Sequence, residues 1–177
     1  LSACIDGGRL PHALLFEGPA GSGRRTLARL TAMAAVCTGE GEKPCGVCPG
    51  CRKAAAGSHP DVLEAGGEGA TRSFHIDTVR ALREDAYILP NEAPRRVFLL
   101  AEAQNMTEQA QNALLKILEE PPASALFLLT CENRGQLLET IRSRVVTLSL
   151  SGVAEEESVT ILGSLLPDTS PEDRRRA

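Results

Sequence analysis

GPAGSGRRTLARL, residues 18–30, is the stretch whose reading decides the fold. Gly18 and Gly23 stand five residues apart with Gly21 between them, an apolar run precedes at Ala13–Phe16, and helix-forming residues follow. This is the outline of a phosphate-binding loop, in which a Gly-rich turn carries a strand into a helix and offers backbone N–H groups to an anion. The pattern then asks for Lys and for Ser or Thr. The chain has Arg24 and Arg25 in those places, so either the loop still handles a nucleotide or it keeps only the shape of one that did.

Around that loop, apolar bursts alternate with helical patterns, the mark of stacked βα units on a largely parallel sheet. Strands are expected near Ala13–Phe16, Val62–Glu64, Val97–Ala101, Leu126–Thr130 and Val145–Leu150. Three of them are continuous apolar runs, as strands covered on both faces are. NMTEQAQNALLKILEEPP, residues 105–122, sets Met106, Ala110, Leu114, Ile117 and Leu118 on one helical face. Asn105 or Thr107 is available as its cap, and Pro121 and Pro122 end it. AGGEGATRS, residues 65–73, reads as a Gly-rich loop. After about Leu150 the composition turns acidic, and the tail from Gly152 reads as the start of a separate helical unit.

The 177 residues suffice for one large domain, or one domain and part of another. With 42% apolar and 24% charged residues the chain is of the globular class. Aromatic residues make up only 3%, with no Trp and a single Tyr, so a stacking platform for single-stranded bases is hard to build. A net charge of -4 supplies no global field for phosphate backbones. No run approaches the roughly 18 apolar residues of a membrane span. Residues 1–15 also lack the pattern of a signal peptide, so a cytoplasmic location is the default expectation.

The sharpest chemical signal is CTGEGEKPCGVCPGC, residues 37–51, where Cys37, Cys45, Cys48 and Cys51 are spaced C-x7-C-x2-C-x2-C. Two-residue spacers let neighbouring sulfurs reach one ion, and four thiolates suit tetrahedral Zn²⁺. Disulfides run against the expected compartment, and unliganded buried thiols are the plain alternative. An iron–sulfur cluster is the serious rival, although the further Cys three residues on, followed by Pro, is missing. Cys4 and Cys131 lie outside the cluster and read as small apolar residues. His59, eight residues after Cys51, reads as a turn residue because four cysteines already fill the shell.

The order LPHALLFEGPAGSGRRTLA, then the four cysteines with GSHPD after them, then QNALLKILEEPP, then TIRSRV, resembles the bacterial clamp loader subunits, members of the AAA+ superfamily. The resemblance runs from about Leu10 to Leu150. It implies an α/β fold: a P-loop AAA+ core over 1–150 with a five-stranded parallel sheet, a zinc module inserted at about 37–60, and a small helical lid beginning in 151–177. It also implies a place in DNA replication, in a pentameric machine that opens the sliding clamp and loads it onto primed DNA for DNA polymerase III. Two subunit types share the layout, the ATPase subunit (gamma/tau) and the delta-prime subunit.

Chemistry chooses between them. A working ATP site needs backbone N–H groups, a Lys on the terminal phosphates, a hydroxyl on Mg²⁺ and an acidic strand end. Gly18, Gly21 and Gly23 supply the first. Arg24 keeps the charge but is a planar fork in a cradle shaped for a slim ammonium, and Arg25 has no oxygen for Mg²⁺. Thr26 serves only if the register slips by one. By resemblance, VFLLAEAQ places Ala101 where an active subunit has Asp, with Glu102 retained, and Thr130 sits at the sensor 1 position. The favoured reading is a delta-prime type subunit without ATP hydrolysis, whose glycines turn the strand into the helix. An active gamma/tau-type ATPase is the alternative. Anion binding without turnover stays open, since a helix N-terminus and two arginines attract phosphate.

By the same resemblance, Ser143 and Arg144 in TIRSRV match a Ser-Arg-Cys motif whose arginine reaches the γ-phosphate of ATP held by a neighbouring subunit. Val145 replaces the Cys. Read without the resemblance, Arg144 is a solvated arginine capping a helix C-terminus, with Arg142 as companion. The implied partners are the gamma/tau and delta subunits, with the clamp and DNA reached through the complex. A zinc-ribbon nucleic-acid binder is disfavoured, because residues 40–53 carry only Lys43, Arg52 and Lys53 as basic groups.

Overall fold

A computed structural model of the chain describes residues 10–66 and 76–152. Cys4 and the lid expected beyond residue 152 lie outside the described residues, as does most of the Gly-rich loop at 65–73. The elements run β1 (Ala13–Glu17), α1 (Arg24–Ala35), α2 (Pro49–Ala55), β2 (Val62–Gly66), α3 (Ile76–Ala86), β3 (Arg96–Ala101), α4 (Glu108–Glu119), β4 (Ala125–Cys131), α5 (Glu139–Arg142) and β5 (Val146–Ser149). All five expected strands are present, within one or two residues of the expected ends.

The strands form one parallel sheet in the order β2-β3-β4-β1-β5. β3 and β4 are buried along their whole lengths because both faces are covered. Val97, Leu99, Leu126 and Leu128 pack with Leu14 and Phe16 against Ala28, Ala32 and Val36 on the α1 side. The alternate residues Phe98, Leu100, Phe127 and Leu129 face the other way, against Val79 and Leu82 of α3 and Leu114, Ile117 and Leu118 of α4. Phe98 and Phe127 stack there with ring centroids 5.2 Å apart. A strand with period-two side chains and two covered faces has no solvent-facing side, so the sequence loses its alternation.

The expected face of α4 is the buried one. Thr107, not Asn105, is its cap: the Thr107 hydroxyl accepts the Ala110 N–H at 3.2 Å, while Asn105 closes a short 3₁₀ turn, Ala103–Asn105. Gln111 is also buried on this helix. Its amide donates to the Met106 carbonyl and accepts from the Leu138 N–H at 2.8 Å, so it splices α4 to the segment entering α5.

Asp61 closes the turn before β2. Its fully buried carboxylate accepts the backbone N–H groups of Asn91, Glu92 and Ala93 at 2.6, 2.9 and 2.9 Å, and the Asn91 amide at 3.2 Å. Burial acts to raise this carboxyl, but the N–H donors of Asn91, Glu92 and Ala93 outweigh it and hold the group below the ordinary carboxylate range. Its contribution to stability is therefore present above the unfolded value of about 3.9 and is lost as pH falls through the lower folded value. Replacing Asp61 by Ala strands three donors and is expected to cost about 3 kcal/mol at pH 7. Thermal denaturation checks this, and the difference from the unmodified chain should shrink in acid.

Candidate functional site

The carboxyl ends of β1, β3 and β4, adjacent in the sheet, gather the loop of residues 18–23, Glu102 and Glu132 around a cleft of roughly 600 Å³. Open α/β sheets take ligands at such strand ends. Gly21 and Gly23 both have φ of 79°, a left-handed backbone that turns β1 into α1 with little steric cost to glycine. Gly23 caps α1 without a side-chain hydrogen bond.

Arg24 does not extend toward the cleft's solvent. It folds under the loop and is only 8% exposed. Nη1 donates to the carbonyls of Gly18 and Pro19 at 3.0 and 2.8 Å, and Nη2 donates to both oxygens of Glu102 at 2.9 Å. Glu132 adds a third carboxylate oxygen at 3.3 Å. Gln104 steadies the pair by donating to Glu102 at 2.8 Å. Glu102 itself has a left-handed φ of 56° and donates its N–H to the Thr130 hydroxyl at 3.0 Å, which aims the carboxylate back across the sheet. One guanidinium thus faces two carboxylates at the point where a nucleotide loop presents a lone cation to phosphate.

Arg25 pairs with Glu64 on β2 at 3.0 Å, and Arg29 binds the same carboxylate. Thr26 is exposed and lines the cleft. The two arginines that would attract an anion are thus both engaged by carboxylates. Glu64 and Glu132 were not singled out from the sequence. The signal available was chemical: a buried Arg in place of Lys requires a counter-ion, and acidic residues at neighbouring strand ends are the candidates.

The four cysteines converge. The Sγ atoms of Cys37, Cys45, Cys48 and Cys51 all lie within 4.8 Å of one another, with Cys45–Cys51 and Cys37–Cys48 both at 3.9 Å. A tetrahedral ion with metal–sulfur bonds of about 2.3 Å sets its sulfurs about 3.8 Å apart, so the donor set fits. Cys48 caps α2, its sulfur accepting the Cys51 N–H at 3.3 Å, and Pro49 starts the helix. Gly39 passes so close that an added Cβ would stand 2.6 Å from the Cys45 sulfur. The Cys51 N–H lowers the Cys48 thiol to about 5, whereas burial pushes Cys51 up to about 12. A cation at the centre favours the thiolate in all four. These cysteines can hold a structural metal ion.

His59 stays outside that group. Its Nδ1 accepts the Asp61 N–H at 3.0 Å within the turn, and Cys131 is buried at the end of β4. Both behave as the sequence suggests.

Arg144 follows α5. Its Nη1 donates to the Thr140 carbonyl at 2.8 Å and to the Ser143 hydroxyl at 3.3 Å, and Nη2 pairs with Glu119 at 2.8 Å. In the isolated chain the guanidinium therefore caps its own helix and reaches the end of α4. Val145 is buried.

Sheet order, Gly-rich loop and strand-end acids together define a P-loop domain of the AAA+ type. The family described as DNA polymerase III, delta subunit, matches residues 1–154. The chain belongs to this family of clamp loader subunits. It is 35% identical to the DNA polymerase III subunit gamma/tau of Mycobacterium tuberculosis over 94% of this chain and 31% of that one. It is 37% identical to the DNA polymerase III subunit delta' of Pseudomonas aeruginosa over 94% of this chain and 52% of that one. The chain thus spans about a third to a half of these relatives. A gamma subunit-related protein of Thermotoga maritima shares the fold at a TM-score of 0.60 and 24% identity, covering 98% of this chain and 52% of that one. Among the described residues no helix is long and apolar enough to cross a membrane.

Proposed function

We propose that this chain is the nucleotide-binding-type portion of a delta-prime subunit, the non-hydrolysing stator of a bacterial replicative clamp loader. The observation that carries the reading is the Arg24 guanidinium, held at 2.9 Å by both oxygens of Glu102. An active loop directs its cation at phosphate and its strand-end acids at Mg²⁺; here each consumes the other. Arg25 and Ala101 supply no metal contact in addition. In this reading the partners are gamma/tau and delta subunits, with the sliding clamp and primed DNA met through the complex. Arg144, beside Ser143, completes the ATP site of a neighbouring gamma/tau subunit. The four cysteines hold one Zn²⁺, whose role is to order residues 37–60 rather than to catalyse.

The rival reading is an ATP-hydrolysing gamma/tau subunit, which the likeness to the mycobacterial chain favours. ATP turnover separates the two. The purified protein is expected to show no Mg²⁺-dependent hydrolysis, and steady turnover free of contaminants would establish the rival. A second measurement probes the internal pair. Arg24→Ala leaves the Glu102 carboxylate buried without its partner, and is expected to cost about 3 kcal/mol in thermal denaturation. Arg24→Lys should recover only part of this, because an ammonium cannot serve both loop carbonyls and both carboxylates as the fork does.

A further inference from the structure

Arg144 is anchored by two different kinds of contact. On Nη1 it is tied to its own helix end: the Thr140 carbonyl accepts it at 2.8 Å, and the Ser143 hydroxyl accepts it at 3.3 Å while donating to that same carbonyl at 3.0 Å. On Nη2 it is tied to another element, the Glu119 carboxylate at the last residue of α4, at 2.8 Å. The helix-end acceptors are neutral and local. The Glu119 contact is ionic and joins residues 25 positions apart, and both side chains remain partly open to solvent, at 34% for Arg144 and 47% for Glu119.

We infer that Glu119 is a positioning residue for Arg144, a latch that keeps the arginine folded against its own subunit until a stronger anion displaces the carboxylate. The inference rests on the finger reading of Arg144 given above. Thr140 and Ser143 form the pivot: they hold Nη1 and so fix the base of the fork. Nη2 is the half that exchanges. A single carboxylate carries one negative charge, whereas a terminal phosphate presents more charge and three oxygens, so the exchange runs toward the phosphate once the neighbour's site is loaded. An exposed ion pair is weak, which suits a latch: it biases the arm without locking it. Glu119 therefore competes with the transition state for Arg144, and removing its charge raises the fraction of arms free to engage.

The test uses the full subunit in a reconstituted loader, with ATP hydrolysis as the readout. Glu119→Gln is expected to raise kcat by about two- to fivefold, the size of an exposed ion pair, with melting temperature and metal content unchanged. The same substitution made on an Arg144→Ala background is expected to change nothing further. An unchanged or reduced rate in Glu119→Gln overturns the latch. So does a gain that persists without Arg144, because Glu119 would then act by another route. If Arg144→Ala alone leaves the rate intact, the finger reading fails first and takes the latch with it.

Discussion

Replacing Arg144 with Ala is expected to reduce ATP hydrolysis in an assembled loader by a factor on the order of 10³ to 10⁵ at the site it faces. The size follows from what an arginine in trans does: it neutralises charge building on the transferred phosphoryl group in a site otherwise shielded from water. In the proposed complex the overall drop is smaller, since ATP sites that Arg144 does not face are untouched. The substitution should leave folding intact, because the side chain is partly exposed and its contacts are a helix-end cap and one surface ion pair. Arg144→Lys should rescue poorly, as the charge remains but the fork is lost. Equal rates in correctly assembled complexes would reduce Arg144 to a cap on α5.

Replacing Cys51 with Ser is expected to empty the proposed zinc site and unfold the module around it. Cys51 is a fully buried residue of α2 whose sulfur faces the Met33 carbonyl of α1 at 4.0 Å, and no hydrophobic cluster of its own holds residues 37–48 among the described residues. In the proposed reading the order of these residues comes from the ion, and structural zinc supplies an apparent binding free energy of about 10 to 16 kcal/mol in small modules. Metal analysis should find one equivalent of zinc in the native protein and almost none in the variant. Amide exchange should accelerate through residues 37–55 while β3 and β4 keep their protection. A colourless, one-zinc protein excludes the iron–sulfur rival; iron in that amount would establish it. Native protein free of metal, with α2 still protected, would show that packing alone holds the module.

Much of this molecule is local enough to read from its residues in order. β3 and β4 announce themselves as apolar runs because both faces are covered, and α4 by the spacing of Ala110, Leu114, Ile117 and Leu118. The cysteine spacing bounds the geometry of the metal site, since a two-residue spacer brings neighbouring sulfurs to one centre. The loop of residues 18–23 is legible because glycine is what a tight left-handed turn demands. The cap of α4 was legible only as a choice between Asn105 and Thr107, which differ by which of them has helix beginning directly after it.

What the residues in order determined, then, is the set of strands, the helices α1 and α4, the four cysteines that can hold a metal ion and the loop with Arg24 and Arg25 in place of Lys and Ser or Thr. Each depends on periodicity or spacing within a short window. Only the tertiary structure decided where the charges went. Arg24 meets Glu102 and Glu132 across 78 and 108 residues because the sheet order puts the ends of β1, β4 and β3 side by side. Glu119 meets Arg144, and Asp61 meets Asn91, Glu92 and Ala93, by the same kind of juxtaposition. A long flexible cation has many carboxylates within its reach along an unfolded chain; the packed sheet leaves it few, and burial makes the choice costly to refuse.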